Sequence, residues 1–151
     1  MKLATSAFLF FWLVGTCSAQ GQPALCPRHI ETPSYPPIAR MANVTGEVVL
    51  QATIDADGEV VHIGFANNDK RLRMLETSAS ENLRHWTFAK PPSAPYKEAI
   101  SYDYEFDPSL PPYDGSPSRP VITRVSFDLP DRVTIATNGM MVEPSQLKPH
   151  R

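Results

Sequence analysis

The chain has 151 residues, a fifth of them charged, and a formal net charge of −2. That balance leaves no basic face of the kind a nucleic-acid reader needs, and 42% hydrophobic residues set it apart from a disordered chain. The length predicts one small globular domain, in which 16 prolines, spread between apolar runs, serve as stiff connectors.

The N-terminus has the layout of a secretory signal peptide over residues 1–19. Lys2 supplies the positive flank, residues 3–14 the apolar stretch, and Cys17-Ser18-Ala19 a small-residue cleavage site. As a helix the apolar stretch would reach about 18 Å, short of the ~30 Å hydrocarbon core. Two alternatives stay open, a retained anchor and a lipidated Cys17; membrane contact is expected only through one of them. Cleavage after Ala19 leaves Cys26 as a lone thiol, which cannot bridge within its own chain.

Residues 20–33 are polar and proline-containing, so a short tether is expected there. Pro36 opens a helix of one or two turns, with Ile38, Met41 and Ala42 at near-helical spacing. Residues 47–54 alternate, with Val48, Leu50, Ala52 and Ile54 on one face against Glu47, Gln51 and Thr53. Asp55-Ala56-Asp57-Gly58 is a hairpin turn signal, because Gly58 takes positive φ freely. The return strand, residues 59–65, puts Val61, Ile63 and Phe65 on one side.

Asn67, Asn68 or Asp69 is placed to cap a helix running to about His85. Leu72, Leu75, Ala79, Leu83 and Trp86 recur at spacings of three and four and form its apolar stripe. A third strand follows, with Ile100, Tyr102, Tyr104 and Phe106 alternating against Ser101, Asp103 and Glu105. Beyond Pro108, residues 121–129 and 132–137 alternate again, and Asn138-Gly139 signals a turn into a short strand over residues 140–142. These elements predict an α+β fold, a three-stranded antiparallel sheet with one main helix packed on a face. Residues 34–107 form that domain, and residues 108–151 an extension carrying an added β-hairpin that extends or covers the sheet.

Chemistry-bearing patterns are weak throughout. Setting Asp55 and Asp57 in a calcium loop would place Thr53 first and Gly64 last, both wrong ligands. His29, His62, His85 and His150 have no partner at metal-ligand spacing. Ser78 and Ser80 lie within a helix and not on a nucleophile elbow, and Cys26 has no catalytic signature around it. Trp86 and Phe88 read as core anchors more readily than as a ligand-binding pair. No catalytic, metal or cofactor residues are expected, and the chain is not read as an enzyme.

Tyr35-Pro36, Ala39, Gly46-x-Val48, Ile54-Asp55, Asp57-Gly58, Leu75-Glu76, Ser78-Ala79 and Trp86-x-Phe88 followed by Pro91 share an order and spacing. In this arrangement the chain resembles the C-terminal domain of TonB-family proteins, from Ser34 to Phe106. Asn67-Asn68-Asp69 stands where that family often has Ser-Ser-Gly. The resemblance implies Tyr35, Pro36, Gly46, Asp57, Gly58, Leu75, Ala79, Trp86 and Phe88 as family-motif positions.

It further implies a periplasmic or envelope module, transport-associated and like an energy transducer. Such a module binds an extended peptide, such as the TonB box of an outer-membrane transporter, by adding it to its sheet as a strand. The expected acceptor edge is Ala99, Ile100, Ser101, Tyr102, Asp103, Tyr104, Glu105 and Phe106. The expected partner is a protein or peptide, and a homodimer stays open. Transducing members of the family also carry a long linker after an inner-membrane helix; here residues 20–34 reach at most ~50 Å. An alternative is an envelope scaffold, soluble or lipid-anchored, whose sheet edge is capped by its own C-terminal hairpin.

Overall fold

A computed structural model describes residues 24–66, 69–116 and 120–140. The expected signal peptide with Cys17, the start of the tether, helix-cap candidates Asn67 and Asn68, and positions 141 and 142 of the last expected strand lie outside the described residues. The elements in chain order are β1 (Pro27–His29), α1 (Pro37–Met41), β2 (Gly46–Ile54), β3 (Val60–Phe65), α2 (Arg73–Leu83), β4 (Thr87–Phe88), β5 (Tyr96–Phe106), β6 (Thr123–Asp128) and β7 (Arg132–Thr137).

Alternation works as expected in β2, where Val48, Leu50, Ala52 and Ile54 are almost wholly buried. The turn into β3 is held by Asp55, whose Oδ1 accepts from the Asp57 and Glu59 amides, both at 2.9 Å. Asp69 does cap the helical segment, accepting the Arg71 amide at 2.9 Å. The first turn is 3-10, over Lys70–Leu72, and α2 proper ends at Leu83. Its apolar stripe of Leu75, Ala79 and Leu83 is fully buried against the sheet.

The sheet differs from expectation. It has five strands in the order β3-β2-β5-β7-β6, all neighbours antiparallel except β5 and β7, which run parallel. The expected three antiparallel strands are therefore part of a mixed sheet. Parallel neighbours need a crossover connection, and here β6 supplies it. The chain leaves β5 and returns along the outside as β6. It then turns back as β7 into the slot between them. Val133 and Ile135 of β7 join the core at 1% and 0% exposure. Phe127 of β6 brings its ring within 6.3 Å of Trp86. The extension is thus built into the domain core.

A second departure lies in the stretch expected to be a tether. β1 pairs with β4 as a two-stranded ribbon, Pro27 opposite Phe88. Leu25 is 7% exposed in the core cluster, and the Ala89 amide donates to the Cys26 carbonyl at 2.9 Å. A polar, proline-containing run gives no alternation from which a three-residue strand could be read.

Candidate partner-binding edge of the sheet

β5 is flanked on both sides. Its inner neighbour is β2, in register from Gly46 opposite Tyr104 to Ile54 opposite Tyr96. On its outer side β7 runs alongside from Ser101 opposite Arg132 to Phe106 opposite Thr137. The Ser101 amide donates to the Asp131 carbonyl at 2.7 Å, and the Asp107 amide to the Thr137 carbonyl at 2.9 Å. Arg132 pairs with Asp103 and reaches Glu47 at 3.4 Å, tying three strands together on the open face. Ser101, Tyr102, Asp103, Tyr104, Glu105 and Phe106 therefore lie in the sheet interior and not on an edge. Ala99 and Ile100 precede the start of β7. The expectation of an edge strand is corrected because the chain's own seventh strand occupies the place of an incoming one.

Among the described residues, the edge strands of the five-stranded sheet are β3 and β6. Along β6 the ladder fixes which groups face outward. Arg124, Ser126 and Asp128 lie opposite Ala136, Thr134 and Arg132, the alternate β7 residues that do not bond β5. The Asn138 amide continues that ladder to the Ile122 carbonyl at 3.3 Å. The backbone groups of Thr123, Val125 and Phe127 thus point away from β7. Alternation in residues 121–129 marked this stretch as a strand, but no pattern marked it as the outermost one.

The motif positions are brought together, but as packing. Tyr35 donates its hydroxyl to the Val44 carbonyl at 2.6 Å and sets its ring edge-on to Tyr104, centroids 5.3 Å apart. Burial pushes the Tyr35 and Tyr104 hydroxyls up to about 12, far from acid–base work near neutrality. Asn82 accepts from Trp86 Nε1 at 3.1 Å and from the Tyr102 hydroxyl at 3.0 Å, and donates to the Glu31 carbonyl at 2.9 Å. Trp86 is fully buried, as are Leu75 and Ala79. Gly58 has φ +93°, and Phe88 donates its amide to the Gly58 carbonyl at 2.8 Å. Gly46 (φ +150°) faces Leu72, and Asp57 pairs with Lys90 at 3.0 Å on the surface. Pro36 precedes α1, whose first residue is Pro37, and accepts the Arg40 amide at 3.0 Å.

The sequence profile of the family described as Gram-negative bacterial TonB protein C-terminal matches residues 31–108, just over half of the chain. This chain belongs to that TonB C-terminal family. It is 36% identical over 61 residues to Protein TonB of Xanthomonas campestris pv. campestris strain B100, and equally to that of strain ATCC 33913. Each alignment covers 40% of this chain and 27% of the relative, so the chain spans about a quarter of the length of the relatives it matches.

Within this TonB C-terminal domain the family match ends at residue 108, before the hairpin that closes β5. Among the described residues no group of three or more His, Cys, Asp and Glu side chains is placed to hold a metal. A polar cleft of about 260 Å³ holds Glu31, Ser78, Glu81 and His85, with His85 Nδ1 and Glu31 Oε2 3.7 Å apart. Among the described residues no helix is long and apolar enough to cross a membrane. Cys26 is free and exposed.

Proposed function

We propose that this TonB C-terminal domain is a non-catalytic, transport-associated protein-interaction module of the periplasm or cell envelope. It takes an extended peptide, such as an outer-membrane transporter's TonB box, as an added strand. The acceptor is the outer edge of β6, one place further out than the β5 edge expected from the family motif. One observation carries this assignment: β7 lies in register along β5 from Ser101 to Phe106.

Magnitudes favour β6 over β5. Freeing β5 would expose Val133 and Ile135, at roughly 3–6 kcal/mol for the pair, before any ladder bonds are lost. An incoming peptide making about five edge hydrogen bonds gains about 2.5–7.5 kcal/mol. Association itself costs at least ~4 kcal/mol. No surplus remains to expel the hairpin, whereas at β6 the same bonds form without that cost.

An amide-detected NMR titration with a synthetic TonB-box peptide tests the assignment. Shifts are expected at Thr123, Val125 and Phe127. Val125→Pro removes the central outward amide while leaving the β7 bonds of Arg124 and Ser126, and weakens binding roughly tenfold. Shifts along β5 with loss of the β7 signals would place the acceptor at β5 after all. The same register supports a second reading, an assembly module whose sheet edge is capped by its own hairpin. A titration that moves neither strand selects that reading.

A further inference from the structure

Helix α1 leaves its two large apolar side chains on the outside. It buries Ala39 and Arg40, the latter 7% exposed, while Ile38 and Met41 stand 68% and 64% exposed. A surface helix normally turns its apolar side chains to the core, so the fold does not account for these two. Met74, 37% exposed at the start of α2, continues the apolar surface. Two hollows meet at Met74. One, of about 260 Å³, is formed with Pro36, Pro37 and Ile38. The other, of about 530 Å³, runs past Leu72 to Lys70 and Arg71.

The charge pattern is equally out of place. Lys70, Arg71 and Arg73 crowd the start of the helical segment, where the backbone dipole favours acids. Arg71 pairs with Asp69 at 2.8 Å. Lys70 and Arg73 form no ion pair among the described residues. Helix stability alone would select against this arrangement, so Lys70 and Arg73 too are left without an internal purpose.

From these two features we infer that the groove between α1 and the start of α2 is a docking site for a partner peptide. That peptide carries apolar anchor residues followed by acidic ones. The anchors sit against Ile38 and Met74, and the acids lie over Lys70, Arg71 and Arg73. Methionine suits such a wall because its unbranched thioether adapts to varied shapes. Concavity selects a polypeptide over a lipid surface, since a bilayer accommodates protruding side chains and leaves two joined hollows unfilled. None of the lining residues belongs to β5, β6 or β7, so this site is separate from the sheet edge.

Selection of a phage-displayed peptide library on the full chain, followed by methyl-detected NMR with the selected peptides, tests the inference. Enriched peptides are expected to join apolar residues to a run of Asp or Glu and to shift the methyl signals of Ile38, Met41 and Met74. Their affinity falls about tenfold for the double substitution K70E/R73E, and it falls with added salt. Both substituted side chains are exposed, so circular dichroism of the variant should match the parent. Enriched peptides without acids, affinity unchanged by K70E/R73E, or shifts confined to β6 would each overturn the inference. So would the absence of enrichment while phosphatidylglycerol vesicles shift the same methyls.

Discussion

Phe88 rests its backbone on Gly58. Its amide donates to the Gly58 carbonyl at 2.8 Å, and a Cβ at position 58 would stand 2.2 Å from the Phe88 carbonyl oxygen. The hairpin turn and β4 are thereby joined through main chain, with no flexible side chain to yield. Gly58→Ala adds both a positive-φ penalty and that clash. A loss of roughly 2–4 kcal/mol is expected, read as a lower urea midpoint.

Asn82 joins α2, Trp86, Tyr102 and the approach to α1 through one side chain. Asn82→Ala strands a buried indole N–H and a buried phenol at once, each at about 1–3 kcal/mol. The variant should lose roughly 2–5 kcal/mol and show a weakened near-ultraviolet signal from Trp86. Parental stability in Asn82→Ala would mean that water or another group replaces those bonds.

Ile135 is wholly buried, and its strand closes the outer side of β5. Ile135→Ala removes packing at a cost of about 2–5 kcal/mol. Hydrogen exchange should then rise first at the Ser101 and Asp107 amides, which bond to the β7 side. Protection there that survives while other β-strand amides exchange would show that the hairpin does not depend on this contact.

Acid should destabilise the fold through its turn and cap aspartates. Asp55 is held below the usual range, first by the Glu59 amide. Asp69 is lowered by Arg71 and Asp107 by the Ser109 hydroxyl. Their folded-state values lie below the unfolded ones, so their contribution is present above about pH 4 and lost as pH falls through the lowered values. Asp55→Asn should lower stability at neutral pH and flatten the acid limb of a Tm-versus-pH curve.

Glu98 acts in the opposite direction. Desolvation raises its carboxyl, partly countered by the Leu25 amide. Its contribution is present below the unfolded value and lost as pH rises through the folded one. Glu98→Gln should therefore raise Tm at pH 7 and leave it unchanged near pH 3, where the parent is already protonated.

Much of the fold was legible in particular residues. Alternation from Val48 to Ile54 marked β2, the Leu75, Ala79 and Leu83 spacing marked α2, and the run over residues 132–137 marked β7 over those same residues. Asp57-Gly58 announced its turn, and the motif order pointed to the family that the profile match bears out. Each of these signals is local, carried by which side chains face the core or by which residue accepts a positive φ.

Strand neighbours were not legible, and the candidate edge depends on them. Alternation reports which face of a strand is buried, but the groups that join strands are backbone N–H and C=O, the same for nearly every residue. Tyr102 and Tyr104 would read alike on an edge or in the interior. Only the assembled sheet decided that β7 lies against β5 and leaves β6 outermost. The same holds for α1, where packing turned Arg40 inward and Ile38 outward against the usual preference. Sequence determined the main strands and helix and the buried faces of β2 and α2, and tertiary structure decided which backbone rim and which apolar side chains remain open to a partner.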